Sequence, residues 1–108
     1  MPESPQRVHF IGIGGAGMSG IARLFLHAGM TVTGSDIRDT RVVADLRNAG
    51  AVVTIGHRTD SVGDADTVVV SGAIDEANPE YRGAVNAGIP VVHRAVALAW
   101  LTKGRRVV

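Results

Sequence analysis

The chain has 108 residues, a formal net charge of +1, no cysteine, 45% hydrophobic residues and only 4% aromatic residues. This length suits one compact domain whose core is built mainly from aliphatic side chains. The charge balance gives no support for binding to nucleic acid or to a membrane, and the lack of cysteine excludes disulfides and cysteine-ligated metals.

Short apolar runs alternate along the chain with segments in which apolar side chains recur at a helical period. The predicted strands are residues 8–13, 30–34, 51–55, 67–71 and 90–93. The predicted helices are residues 16–28, 41–49, 78–87 and 94–102. Thr40 is a plausible N-cap of the second helix, and Pro79 suits the first position of the third. Residues 1–6 lack the apolar segment of a secretory signal and are predicted to be a flexible lead-in.

Strands separated by helices predict βαβ units, and hence a single α/β domain over residues 7–104. We expect a Rossmann-like, doubly wound parallel sheet of about five strands in the order 3-2-1-4-5. In that order the carboxyl ends of the first and fourth strands border one crevice. Residues 12–17 follow the first of these strands and residues 71–74 follow the fourth, so this crevice is the predicted ligand site.

A glycine-rich turn lies between the first predicted strand and the first predicted helix. Gly12, Gly14 and Gly17 have the spacing G-x-G-x-x-G, which brings backbone N–H groups and a helix N-terminus close to a phosphate. In this pattern Gly12 permits the turn, Gly14 lets the backbone approach the anion, and Gly17 lets the helix pack close to the sheet. Asp36, just past the second strand, is placed to accept hydrogen bonds from ribose hydroxyls. The alternative is an ordinary strand-to-helix turn with Asp36 as a solvated charge.

Other polar residues lie near the same predicted crevice. Ser19 can donate its hydroxyl to a phosphate from the first helical turn, or it is a surface residue. Ser71, followed by Gly72, can form a small turn across which a ligand lies flat, or an ordinary turn. Arg94 can make charge-assisted contacts with a diphosphate, whereas a structural role is expected for His93.

No pattern of catalytic residues accompanies the crevice. The sequence contains no P-loop, no G-x-S-x-G and no convincing acid–base pair, and its four histidines lack the spacing of metal ligands. A binding domain without catalytic residues or a metal site of its own is therefore predicted. The residue pattern alone leaves open an NAD(P)-binding module of an oxidoreductase or of a nucleotide-sensing regulator.

Several segments resemble the Mur ligase family of peptidoglycan synthesis. These segments are residues 8–22, 34–36, 56–57, 68–71, 78–80 and 89–92. The run Gly14-Gly15-Ala16-Gly17-Met18 is similar to the alanine-adding members rather than to those that add later residues or recycle peptides. The resemblance spans residues 7–108.

In that family the first domain is Rossmann-like and binds the UDP part of UDP-N-acetylmuramate, not NAD. The resemblance implies that residues 14–18 hold the diphosphate, that Asp36 lies near the uridine ribose, and that Ser71 and Arg94 flank the crevice. Two positions depart from the family pattern, because Gly72 replaces a frequent serine and Val96 replaces a frequent acidic residue.

The resemblance has implications beyond the crevice. Residues 105–108 are expected to begin a strand that leads into a central domain outside this sequence, where ATP and magnesium bind. L-Alanine is then a substrate of the full-length enzyme only, and this chain alone is expected to be inactive. A cytoplasmic location is expected, with neither a nucleic acid nor a membrane as partner.

Overall fold

A computed structural model of the chain describes residues 6–56, 62–72 and 77–106. Strands and helices alternate through these ranges. The strands are Arg7–Ile11 (β1), Thr31–Asp36 (β2), Val52–Ile55 (β3), Thr67–Val70 (β4) and Val91–His93 (β5). The helices are Met18–His27 (α1), Arg41–Asn48 (α2), Pro79–Asn86 (α3) and Arg94–Arg106 (α4). None of the helices in these ranges has the length and hydrophobicity to cross a lipid bilayer.

The strands form one parallel sheet in the order β3-β2-β1-β4-β5, which confirms the predicted doubly wound topology. The central strand β1 pairs with both β2 and β4, so that Phe10 lies opposite Gly34 on one side and Val69 on the other. The carboxyl ends of β1 and β4 are therefore neighbours. This is the switch point at which sheets of this kind bind their ligands.

Apolar side chains cover both faces of the sheet. On one face β1 packs against α1, α2 and α4, and the rings of Phe10 and Phe25 meet edge to face with centroids 5.6 Å apart. On the opposite face Ile11 and Val68 pack with Ala84 of α3. The core thus has two layers, one on each side of the sheet.

The first strand and the first helix are both shorter than predicted, because glycines interrupt them. The strand ends at Ile11 since Gly12 has a φ of 77°, and the N–H groups of Gly12 and Ile13 both donate to the carbonyl of Ser35, at 2.8 and 2.9 Å. The helix begins at Met18 since Gly17, immediately before it, has a φ of 83°. The turn between them therefore occupies residues 12–17.

The second strand is longer at its carboxyl end than predicted. Ser35 and Asp36 pair with Thr54 and Ile55 of β3, so both belong to the strand rather than to the loop after it. Asp36 is consequently the last residue of β2 and is held by the sheet.

The helix caps agree with the sequence. The Thr40 side chain accepts a hydrogen bond from the N–H of Val43 at 3.3 Å, as expected of an N-cap. Asn78 caps α3, accepting from the N–H of Glu80 at 2.9 Å, and Pro79 is the first residue of that helix.

Both ends of the predicted domain need correction. Residues 1–5 of the predicted lead-in lie outside the described residues, but Gln6 is tied to the sheet: its N–H donates to Asp66 Oδ2 at 2.8 Å and its carbonyl accepts from Thr31 at 2.8 Å. The strand predicted from Arg105 is wrong for residues 105 and 106, which are the last residues of α4. Lysine and arginine have high helix propensities, and a single glycine at 104 costs only about 1 kcal/mol relative to alanine, so the helix continues. Residues 107–108 lie outside the described residues.

Candidate functional site

The glycine-rich loop connects β1 to α1 at the switch point. It consists of two consecutive turns, since the N–H of Gly15 donates to the carbonyl of Gly12 and the N–H of Met18 donates to the carbonyl of Gly15, each at 3.0 Å. These bonds keep the loop compact at the carboxyl end of the central strand.

Two N–H groups at the tip of this loop are unused. Ala16 and Gly17 are exposed, and within the described ranges their N–H groups have no hydrogen-bond acceptor. No side chain of the described residues caps the N-terminus of α1, which follows the loop directly. Backbone donors at the positive end of a helix are suited to binding an anion.

Asp36 holds the loop from the side of β2. Its Oδ2 accepts from the N–H of Gly14 at 2.9 Å, and its Oδ1 accepts from the N–H of Arg38 at 3.1 Å. A Cβ at position 14 would lie 2.9 Å from Asp36 Oδ2 and 3.1 Å from Val43 Cγ2. Glycine at 14 therefore allows the close approach of Asp36 and α2, while the approach of an anion to its backbone stays a prediction.

Arg94 lies over the other side of the loop. A Cβ at Gly17 would be 2.6 Å from Arg94 Nη1 and 3.2 Å from Cζ, so the guanidinium occupies the space above Gly17. This gives Gly17 a different role from the predicted helix–sheet contact. Arg94 is half-buried and has neither an ion pair nor a hydrogen bond among the described residues. Among the described residues, the loop tip thus carries a cation without a counter-ion, next to two N–H groups without an acceptor.

The two predicted site residues at the start of α1 are arranged differently from each other. The Met18 side chain is fully buried and its N–H is bonded within the loop, so Met18 supports the loop from the core side. Ser19 is half-buried in the first turn of α1, and its hydroxyl has no partner in the described part of the chain.

The opposite wall of the crevice is described in part. Ser71 follows β4 and is exposed, and Gly72 has a φ of 104°, a conformation that strains any other residue type. The departure from the family pattern at Gly72 therefore matches its backbone. Residues 73 and 74 of the predicted crevice lie outside the described residues. Val96, the other departure, is exposed on α4.

His93 has the structural role expected of it. Its Nδ1 accepts a hydrogen bond from the N–H of Ala95 at 3.0 Å, which makes it a cap of α4 immediately before Arg94. This cap fixes the start of the helix that carries the guanidinium.

Sequence reasoning missed a buried polar cluster beneath the loop. His9, Thr33, Ser35 and Glu80 are linked by hydrogen bonds between β1, β2 and α3. The sequence signal for this cluster is the presence of the polar residues His9, Thr33 and Ser35 within strands of the sheet.

The parallel sheet with a glycine-rich loop at its switch point defines a Rossmann-like domain. The sequence profile described as "Mur ligase family, catalytic domain" matches residues 7–106, and the chain belongs to the Mur ligase family.

Two relatives show the extent of the similarity. The chain is 56% identical over all of its 108 residues to the UDP-N-acetylmuramate–L-alanine ligase of Clavibacter michiganensis subsp. michiganensis. The crystal structure of the UDP-N-acetylmuramate–alanine ligase of Thermotoga maritima superimposes with a TM-score of 0.85 at 33% identity, covering 93% of this chain. Each match covers 23% of the relative, so the chain spans about a quarter of the length of these ligases.

A sister ligase has the same domain at lower similarity. The murein peptide ligase of Psychrobacter arcticus superimposes with a TM-score of 0.74 at 27% identity, over 80% of this chain and 18% of that one. The fold is therefore common to an alanine ligase and a murein peptide ligase.

Proposed function

We propose that this chain is the UDP-N-acetylmuramate-binding N-terminal domain of an ATP-dependent ligase that joins L-alanine to UDP-N-acetylmuramate in peptidoglycan synthesis. The observation that carries the proposal is the unpaired guanidinium of Arg94 beside the unused N–H groups of Ala16 and Gly17. Support for the ligase comes from the 56% identity to the Clavibacter enzyme.

The diphosphate of the ligand is proposed to lie at the tip of the glycine-rich loop. There it accepts hydrogen bonds from the N–H groups of Ala16 and Gly17, and the planar guanidinium of Arg94 donates to its oxygens from the other side. Ser19 and Ser71 supply hydroxyl donors at the two edges of this position.

The uridine is proposed to lie toward Asp36. A carboxylate has about four lone-pair sites, so Asp36 can bind a ribose hydroxyl in addition to the N–H groups of Gly14 and Arg38. Ile37, the next residue, is 67% exposed and offers an apolar surface to the base.

The bond-forming chemistry is assigned to the part of the ligase outside this chain. The described residues contain no group of three His, Asp or Glu side chains that fits a metal ion, and the sequence has no P-loop. ATP, magnesium and L-alanine are therefore proposed to bind outside this chain. The cytoplasmic location stays a prediction.

Titration calorimetry on the 108-residue chain tests the proposal against the nicotinamide alternative. We expect heat from UDP-N-acetylmuramate and, more weakly, from UDP, because both carry the diphosphate and the uridine. NADH is expected to give no heat. Tight binding of NADH without any response to the UDP-sugar would identify the chain as a nicotinamide-binding module instead.

A further inference from the structure

A fully paired polar cluster is buried between the sheet and α3. His9 and Glu80 have side chains 1% and 0% exposed, and His9 Nε2 lies 2.5 Å from Glu80 Oε1. The other oxygen of Glu80 accepts from the hydroxyl of Ser35 at 2.7 Å, and His9 Nδ1 lies 2.8 Å from the hydroxyl of Thr33. No buried side-chain polar atom of the described residues is left without a partner.

Packing alone does not require such a cluster. The rest of this face is filled by apolar side chains such as Ile11, Val68 and Ala84. Removing a carboxylate from water is unfavourable, and hydrogen bonds and charge attraction offset the loss only when all of them are made. Replacing a buried ion pair with apolar side chains of similar volume is often neutral or stabilising in proteins. The cluster therefore points to a role beyond stability.

Ser35 belongs both to the cluster and to the hydrogen bonds that hold the glycine-rich loop. The carbonyl of Ser35 accepts from the N–H groups of Gly12 and Ile13, and the next residue, Asp36, accepts from Gly14. The side chain of the same Ser35 is bonded to Glu80. Ser35 and Asp36 thus hold the first three N–H groups of the loop. Glu80 in turn holds the side chain of Ser35.

Glu80 also belongs to the other wall of the crevice. It is the second residue of α3, and its N–H donates to the Asn78 cap at 2.9 Å. The segment before this cap comes from the carboxyl end of β4. One carboxylate therefore connects the two chain segments that border the crevice.

We propose that Glu80 is a positioning residue for the glycine-rich loop: it acts through Ser35, which holds the base of the loop, and so sets the direction of the Ala16 and Gly17 N–H groups at the tip that receive the diphosphate. The identity of the ligand rests on the proposed function. The effect on the loop does not, because it is present in the free chain.

The variant Glu80→Gln tests this role with little change in shape. Glutamine retains one oxygen acceptor and gains an amide donor, so the cluster keeps hydrogen bonds but loses the carboxylate. In the free chain we expect the ¹H–¹⁵N resonances of Gly12, Ile13 and Gly14 to shift and their amide hydrogens to exchange faster. The dissociation constant for UDP-N-acetylmuramate should rise about tenfold, because hydrogen bonds to a neutral amide hold Ser35 more weakly than hydrogen bonds to a carboxylate. Unchanged loop resonances would overturn the proposal.

A second variant keeps the test valid if Glu80→Gln fails to fold. Ser35→Ala removes the hydroxyl link and leaves the backbone carbonyl in place. It should shift the same loop resonances and weaken binding by a similar factor. Because both variants break one link, their effects on affinity should be non-additive in the double variant. Additive effects would show that Glu80 does not act through Ser35.

Val8→Ala is the matched control for a loss of stability alone. Val8 is fully buried near the amino end of β1, whereas the loop follows the carboxyl end of that strand. We expect this variant to unfold at a lower temperature with the affinity and the loop resonances unchanged. If it weakens binding as much as Glu80→Gln at equal loss of stability, Glu80 is merely structural. If the parent chain fails to bind UDP-N-acetylmuramate, the proposed function fails, while the loop resonances of the free chain still decide the role of Glu80.

Discussion

The guanidinium of Arg94 fills the space that a side chain at Gly17 would need, with Nη1 2.6 Å from the position of a Cβ there. Gly17 precedes the first helix and Arg94 begins the last. The Phe25 and Trp100 rings, 6.0 Å apart, pack these two helices together. The contact therefore joins the loop to the one cation that the sequence predicted beside it.

Gly17→Ala should weaken ligand binding through Arg94. The φ of 83° strains any L-residue, at a cost of about 1–2 kcal/mol, and the new methyl group displaces the guanidinium. Gly29→Ala is the control, because its φ of 87° gives the same strain while a Cβ there meets nothing within 4 Å. We expect similar losses of stability in thermal unfolding, but a large loss of affinity only for Gly17→Ala. If the two variants bind the ligand with equal affinity, Arg94 does not contribute to ligand binding.

Arg94→Gln should lower affinity without lowering stability. With no ion pair of Arg94 among the described residues, the free energy of unfolding should change by less than about 0.5 kcal/mol. Loss of charge-assisted hydrogen bonds should raise the dissociation constant for UDP about 10- to 100-fold in calorimetry. Arg23→Gln removes the same charge from an exposed position on α1 and should leave binding intact. An equal effect of both substitutions would indicate only a general charge effect.

Gly14→Val should destabilise the chain as well as disturb the site. The added side chain meets Asp36 and Val43, and overpacking of this kind costs about 1–3 kcal/mol. Gly20→Ala is the opposite case, since a Cβ in this exposed helical position meets nothing within 4 Å and should stabilise α1 by up to about 1 kcal/mol. Denaturant unfolding of both variants measures these shifts. A Gly14→Val chain of unchanged stability would contradict the contact geometry.

The 108-residue chain should unfold as one cooperative unit. Helices of this chain pack apolar side chains against both faces of the sheet, so its core is covered within the chain. Trp100, the only tryptophan, reports on α4, whereas far-ultraviolet circular dichroism reports on all the elements. The two thermal transitions should coincide. An earlier transition in tryptophan fluorescence would show that α4 detaches on its own.

The topology and the loop could be predicted because their signals are local. Alternating apolar periods mark the elements, Gly12 and Gly17 mark the turn, and Thr40 and Asn78 mark helix starts. The handedness of βαβ units then leaves few possible strand orders. Each of these arguments uses residues that are close together in the sequence.

The contacts within the site could not be predicted because they depend on strand pairing. Asp36 reaches Gly14 only because β2 extends beside the loop, and no local pattern specifies that extension. The residues around His9 predict only an apolar strand. Its partner Glu80 is distant in the sequence and is brought to it by α3. The strand predicted at residues 105–108 failed at residues 105 and 106 because the local helix preference extends across Gly104.

The contact between the glycine-rich loop and Arg94 of α4 couples ligand binding to complete folding of the domain. The loop lies between β1 and α1 whereas Arg94 belongs to α4, so a ligand that engages both recognises only the fully assembled domain. By mass action such a ligand stabilises the entire fold, by about 2.7 kcal/mol at a free concentration one hundred times its dissociation constant. The free concentration of the ligand would thereby set the fraction of chains that are folded, in addition to the fraction whose crevice is filled.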